Sequence, residues 1–112
     1  MKVSIITVTK NSEKYLSDCI NSVKRQNFKD IEYIVIDGKS TDGTVDIIRQ
    51  NKKHINYWIS ETDCGMYDAI NKGISKATGD IIGILNSDDM FASADAVRSI
   101  VDCFETTGTD SV

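Results

Sequence analysis

Four short runs of β-branched and aromatic residues, at 3–8, 33–36, 56–59 and 81–85, constrain this chain more than any other feature. Each is followed by a longer polar segment with apolar residues at helical spacing. A strand with one wet face alternates apolar and polar, so unbroken apolar runs read as strands buried on both faces. The first intervening segment carries Tyr15, Leu16, Cys19, Ile20 and Val23 behind an Asn11-Ser12 cap signal. The second carries Val45 and Ile48 behind Ser40-Thr41-Asp42. The third carries Met66, Ile70, Gly73, Ile74 and Ala77, with Met66 and Ile74 read as core and Gly79 as the C-terminal cap. The fourth carries Val97, Ile100, Val101 and Phe104 behind Ser93 and ends near Gly108. Four strand-then-helix units predict an α/β domain with a mostly parallel sheet of about four strands. Right-handed crossovers place its flanking helices on both faces.

A chain of 112 residues holds one such domain and not two. With 40% hydrophobic and 27% charged residues it falls among folded rather than disordered sequences. A net charge of −4 argues against nucleic acid or an anionic membrane as the main partner. No apolar run approaches the roughly 18 residues of a membrane span. The opening residues enter a strand pattern at once, without the layout of a signal peptide. Cys19, Cys64 and Cys103 are odd in number and lack a CxxC, which favours a reducing compartment and plain packing over disulfides or zinc. Residues 109–112 read as the approach to a fifth strand. The expected organisation is one domain over 1–112, cut from a longer enzyme and left with an open sheet edge.

Ligands of open α/β sheets bind outside the carboxyl ends of the strands, where strand order reverses. The four runs deliver there Thr7, Val8, Thr9 and Asn11; Asp37 to Gly43; Ser60, Glu61, Thr62 and Asp63; and Asn86, Ser87, Asp88 and Asp89. Three of the four ends are acidic. Adjacent carboxylates repel and resist desolvation, so a divalent cation is the economical partner, and carboxylate oxygens suit Mg²⁺ or Mn²⁺. The turn after the first run, Thr9-Lys10-Asn11-Ser12, has no glycine, which excludes both the dinucleotide and the P-loop fingerprints. It lacks the acidic pair of a response-regulator receiver, and no GxSxG elbow exists. His54, in a polar loop, reads as a surface residue.

VSIITVTKN at the start, EYIVIDGKSTDGT around Asp37, DCGMYDAINKGISKATGD, and IIGILNSDD, in that order and spacing, resemble the nucleotide-binding half of family 2 glycosyltransferases. The resemblance spans residues 2 to about 104 and implies a Rossmann-like GT-A fold. It further implies inverting transfer of a sugar from a UDP- or GDP-linked donor to a glycan or lipid-linked acceptor, with Mn²⁺ or Mg²⁺, in cell-surface polysaccharide synthesis. By position, Val8, Thr9 and Asp37 would hold base and ribose. Asn86, Ser87 and Asp88 would face the donor, Asp88 its ribose, and Asp89 would coordinate the metal. Ser40-Thr41-Asp42-Gly43-Thr44 would be mostly structural, fixing where Asp37 points. Asn86 stands where an aspartate is common, keeping an acceptor oxygen and removing a charge. An arginine often precedes the position of Asn71; here it is Ile70, and the cation follows at Lys72. Asp68, Asn71 and Lys72 would address the donor, with a solvated helix face as the alternative for Asp68 and Asn71. The general base is expected beyond Val112, which leaves 1–112 with donor binding and no efficient transfer. The cytoplasmic side of the membrane, by analogy, and a homo-oligomer paired through the open edge complete the expectation. A metal-dependent nucleotidyltransferase and a non-catalytic sugar-nucleotide-binding module are the alternatives.

Overall fold

The structure, a computed structural model, describes residues 1–107, so the expected ending near Gly108 and the fifth-strand approach lie outside the described residues. Strands β1 (Val3–Thr9), β2 (Ile31–Asp37), β3 (Tyr57–Ser60) and β4 (Ile81–Ile84) alternate with helices α1 (Leu16–Lys24), α2 (Thr44–Gln50), α3 (Met66–Lys76) and α4 (Ala96–Thr107); a 3-10 turn at Lys52–His54 precedes β3. The sheet is parallel throughout, in the order β3-β2-β1-β4. The chain therefore runs outward from β1 to β3, crosses back, and adds β4 on the other side of β1. The gap between the ends of β1 and β4 is the topological switch point.

Side-chain alternation along the strands divides the core into two layers. Val3 and Ile5 of β1 and Tyr33 and Val35 of β2 pack with Leu16, Cys19, Ile20 and Val23 of α1, Ile48 of α2, and Val97 and Val101 of α4. Ile6, Val8, Ile34 and Ile36 pack on the opposite face with Ala69 of α3. Helices thus lie on both faces, three on one and α3 on the other.

Burial on both faces holds for β1, and for β2 from Tyr33 onward. It fails for the edge strands. β3 is half-buried throughout, and Ile82 and Ile84 of β4 are exposed because α3 sits over β1 and β2 and leaves that face of β4 uncovered among the described residues. Met66 and Ile74 are also exposed, which corrects their reading as core. The contact surface of α3 is made by its small residues, Ala69 and Gly73, with Ile70 and Ala77 at its borders. A Cβ on Gly73 would stand 2.5 Å from Cγ2 of the fully buried Ile6, so the helix rests directly on β1. Ile100 of α4 is likewise exposed. The Asn11-Ser12 cap is displaced: α1 begins at Leu16 after Tyr15, while the Ser12 carbonyl accepts from the Tyr15 and Leu16 N–H groups. α3 ends at Lys76, with Ala77 rather than Gly79 as its C-terminal cap.

Candidate active site

The carboxyl ends of the strands are locked to one another before any ligand is considered. In register, Thr9 pairs with Asp37 and Asp37 with Ser60. The Asp37 carboxylate is fully buried and accepts from the Ser40 N–H (2.9 Å), the Ser40 hydroxyl (2.5 Å) and the Ser60 hydroxyl (2.7 Å). The turns after β1 and β2 are laced together. Asn11 sits at φ 49° and Lys39 at φ 57°, both left-handed; the Asn11 N–H donates to Ser40 Oγ and the Thr41 N–H to Asn11 Oδ1. The Ser12 N–H donates to Thr44 Oγ1, and Thr44 donates both its N–H and its hydroxyl to Asp42. The Thr44 hydroxyl foremost holds the Asp42 carboxyl below its ordinary value. The Ser40 to Thr44 segment is therefore scaffolding for the rim.

A cleft of about 510 Å³ opens at the switch point. Val8, Thr9 and Lys10 of the β1 end form one wall and Asn86, Ser87 and Asp88 the other; Tyr15 lies along it, and Asp63, Gly65, Met66 and Ala69 close the side toward α3. Gly65 has φ 110°, a conformation open to glycine at little cost, and it turns the chain into α3 at the cleft wall. Among the described residues two buried polar side-chain atoms have no partner, Thr9 Oγ1 and Asn86 Oδ1, and both residues line this cleft. Buried polar atoms are almost always paired, so two orphans in one cleft mark groups that a ligand or water completes.

The acidic turn is held from α1 and β1. The Asp89 N–H donates to the Asn86 carbonyl and the Ser87 N–H to the Val8 carbonyl. Ser87 Oγ donates to Ser12 Oγ at 2.9 Å, and the Phe91 N–H donates to Ser22 Oγ at 3.1 Å. Gln26 accepts from the Val97 N–H and donates to the Ser93 carbonyl, tying down the start of α4. Asp88 and Asp89 both project as exposed side chains at this turn. The acidic turn carries the exposed carboxylates of Asp88 and Asp89 and, two residues before Asp88, the unpartnered Asn86 Oδ1, oxygen chemistry of the kind a divalent ion takes; among the described residues no three or more His, Cys, Asp or Glu groups gather into a metal cluster. One or two carboxylates with open positions is how Mg²⁺ and Mn²⁺ are held when phosphates complete the shell.

Of the residues singled out from sequence, Val8, Thr9, Asn86, Ser87 and Asp88 come together on the cleft, with Asp89 adjoining Asp88. Asp37 lies one strand away with its carboxylate turned to Ser40 and Ser60. Asp68 and Lys72 do not line the cleft. Lys72 Nζ lies 3.1 Å from Glu61 and 3.5 Å from Asp68 and donates to the Thr62 carbonyl, while Asp68 accepts from the Cys64 N–H. That N–H, with Lys72 behind it, lowers the Asp68 carboxyl; some desolvation opposes the Lys72 charge, but Glu61 and Asp68 raise the Lys72 ammonium overall. The pair staples the β3–α3 loop. Asn71 is exposed and apart from the cleft. Sequence reasoning missed Tyr15, which it assigned to the buried stripe, and Lys10, the one cation on the cleft wall among the described residues. Their position one and six residues beyond a strand end was the available signal.

The sequence profile described as Glycosyl transferase family 2 matches residues 4–112. An uncharacterized glycosyltransferase of Mycobacterium tuberculosis is 39% identical over 107 residues, covering 95% of this chain and 41% of that protein. A PGL/p-HBAD biosynthesis glycosyltransferase of Mycobacterium bovis is 36% identical over 100 residues, covering 87% of this chain and 39% of that protein. The chain thus spans about two-fifths of the length of these relatives. In structure it is similar to residues 1–349 of S. aureus TarS, solved in complex with UDP-GlcNAc, with TM-score 0.87 and 27% identity, covering 95% of this chain and 32% of that one. The fold is also shared with a mannosyltransferase of Pyrobaculum calidifontis solved with GDP-Man and Mn²⁺ (TM-score 0.85, 24% identity, 92% of this chain and 32% of that one). With nearly its whole length matched by the family profile and a GT-A sheet to carry it, the chain belongs to glycosyl transferase family 2.

Proposed function

We propose that residues 1–112 form the donor-binding part of an inverting, metal-dependent glycosyltransferase acting in cell-surface polysaccharide synthesis. The observation that carries this reading is the pair of unpartnered buried atoms, Thr9 Oγ1 and Asn86 Oδ1, in a cleft that ends on Asp88-Asp89. Val8 and Thr9 take the nucleoside of a UDP- or GDP-linked sugar and Asp88 its ribose, while Asp37, fully buried and paired with Thr9, holds the β2 end in place. Asp89, with Asp88 and Asn86 beside it, holds Mn²⁺ or Mg²⁺. A bound divalent ion supplies Lewis-acid stabilisation of the negative charge that develops on the departing diphosphate. The protein's own part is orientation. The Asn86-to-Asp89 turn is fixed to β1, to the loop after it and to α1 before the donor arrives, so little reorganisation accompanies binding. An acceptor hydroxyl attacks the anomeric carbon from the face opposite the leaving group, and its proton passes to a carboxylate base. The relatives are more than twice as long as this chain, and we place that base and the glycan or lipid-linked acceptor site in the further length. The full enzyme works at the cytoplasmic face of the membrane in this reading; among the described residues no helix is long and apolar enough to cross it.

Titration of the 112-residue chain with UDP and GDP, with Mn²⁺ and with chelator, tests the reading. Binding of one nucleoside diphosphate that requires the metal, weakened at least about tenfold (roughly 1.4 kcal/mol) by Asp89→Ala, is expected. Metal-independent binding points to a non-catalytic module, and a preference for nucleoside triphosphates to a nucleotidyltransferase. Robust sugar transfer by this chain alone would contradict the division of labour.

A further inference from the structure

Beneath the acidic turn lies a buried polar chain that the donor-binding reading leaves unused. The Tyr33 hydroxyl is 2.9 Å from Thr7 Oγ1, Thr7 Oγ1 is 3.6 Å from Cys19 Sγ, and Cys19 Sγ donates to the Asn86 carbonyl at 3.6 Å. Tyr33, Thr7 and Cys19 are each 1% exposed or less. A thiol has one proton, and Asn86 O, which can only accept, takes it, so the sulfur accepts in turn from Thr7 or from the Tyr33 hydroxyl, which stands 3.9 Å from it. The chain ends on the carbonyl that also receives the Asp89 N–H. That carbonyl is the pivot of the turn.

We propose that Cys19 is a positioning residue for donor binding: its thiol, oriented by Thr7 and Tyr33, pins the Asn86 carbonyl and thereby sets where Asn86 Oδ1, Asp88 and Asp89 stand in the cleft. The other cysteines are exposed and make no part of this chain. The inference rests on the donor-binding reading for its consequence, but its structural half does not.

The test compares wild type with Cys19→Ala, Cys19→Ser, Thr7→Val and a remote core variant, Val101→Ala, on two readouts. The first is amide hydrogen exchange at Asp89 and Phe91 without ligand. The second is Mn²⁺-dependent UDP or GDP affinity. Cys19→Ala is expected to speed exchange at Asp89 at least tenfold while the β1 and β2 amides keep their protection, and to weaken nucleotide binding about tenfold. Cys19→Ser restores both to within about threefold because it still donates a proton. Thr7→Val, which leaves the thiol in place without the Thr7 hydroxyl, falls between. Val101→Ala lowers thermal stability without changing affinity. If Cys19→Ala leaves Asp89 exchange unchanged, or if Val101→Ala weakens nucleotide binding equally, the proposal is overturned. If wild type binds no nucleotide, the donor-binding reading fails by itself, and the exchange at Asp89 still decides whether Cys19 holds the turn.

Discussion

Asp37 illustrates how a residue's chemistry follows from where its strand stops. Its position at the last rung of β2, between Thr9 and Ser60, buries the carboxylate completely and surrounds it with three donors. A carboxylate can satisfy them all, because its two oxygens offer about four acceptor positions. An amide offers half as many and brings two N–H groups of its own. Asp37→Asn is therefore expected to lower stability by about 1–3 kcal/mol, read from urea denaturation; a cost below about 0.5 kcal/mol would show that the three donors are satisfied elsewhere. At this scale the sequence was legible wherever position along a strand decides the outcome: Thr9, Asn86 and Asp88 reach the cleft because they follow strands that flank the switch point. It was less legible where a long side chain has a choice of partner. Lys72 looked like a donor-facing cation, but Glu61 and Asp68 lie within its reach and hold it to the β3–α3 loop. No pattern in the sequence announces that competition.

The elements were easier to read than their packing. All four strands and four helices fall where periodicity placed them, because apolar runs and helical stripes are local signals. Which stripe residues meet the sheet is a tertiary matter. In α3 the large apolar residues Met66 and Ile74 face outward, and the helix approaches the sheet on Ala69 and Gly73. Gly73→Ala would drive a methyl into Ile6, which is fully buried and has no room to withdraw. The expected cost is about 1–3 kcal/mol of overpacking, despite the better helix propensity of alanine. Thermal unfolding measures it, and an unchanged or raised melting temperature would mean that α3 is not seated on β1 as described. The cleft depends on the same contact, since Met66 and Ala69 line it. A displaced α3 is expected to weaken nucleotide binding along with stability.

Across the whole molecule the two ends of the sheet are held by different means. At the amino end Glu32 of β2 accepts from the Ser4 hydroxyl and from both the N–H and the hydroxyl of Thr78, joining β1, β2 and the α3–β4 connection, with Lys2 at 3.7 Å. Burial works against its charge, but these hydrogen bonds and Lys2 outweigh it and lower the carboxyl below its ordinary value. A carboxyl lowered in the folded state contributes stability in full above its unfolded pKa and loses it as pH falls through the folded one. Unfolding measured from pH 7 to below 4 should therefore show an acid loss that Glu32→Gln reduces; an identical slope in the variant would remove Glu32 from the account. At the carboxyl end there is instead a rim of polar atoms left partly unpaired, at Thr9 and Asn86, next to paired aspartates. The fold closes one end of its sheet and leaves the other chemically open, and the donor-binding account rests on that difference. Paramagnetic broadening by Mn²⁺ in the amide spectrum, with UDP or GDP present, tests it most directly. The account predicts that signals from residues 86–90 and 8–12 vanish first, that those of α2 persist, and that Asp89→Ala abolishes the effect. Broadening centred on Glu61 and Asp68, or broadening at the turn that survives Asp89→Ala, would contradict it.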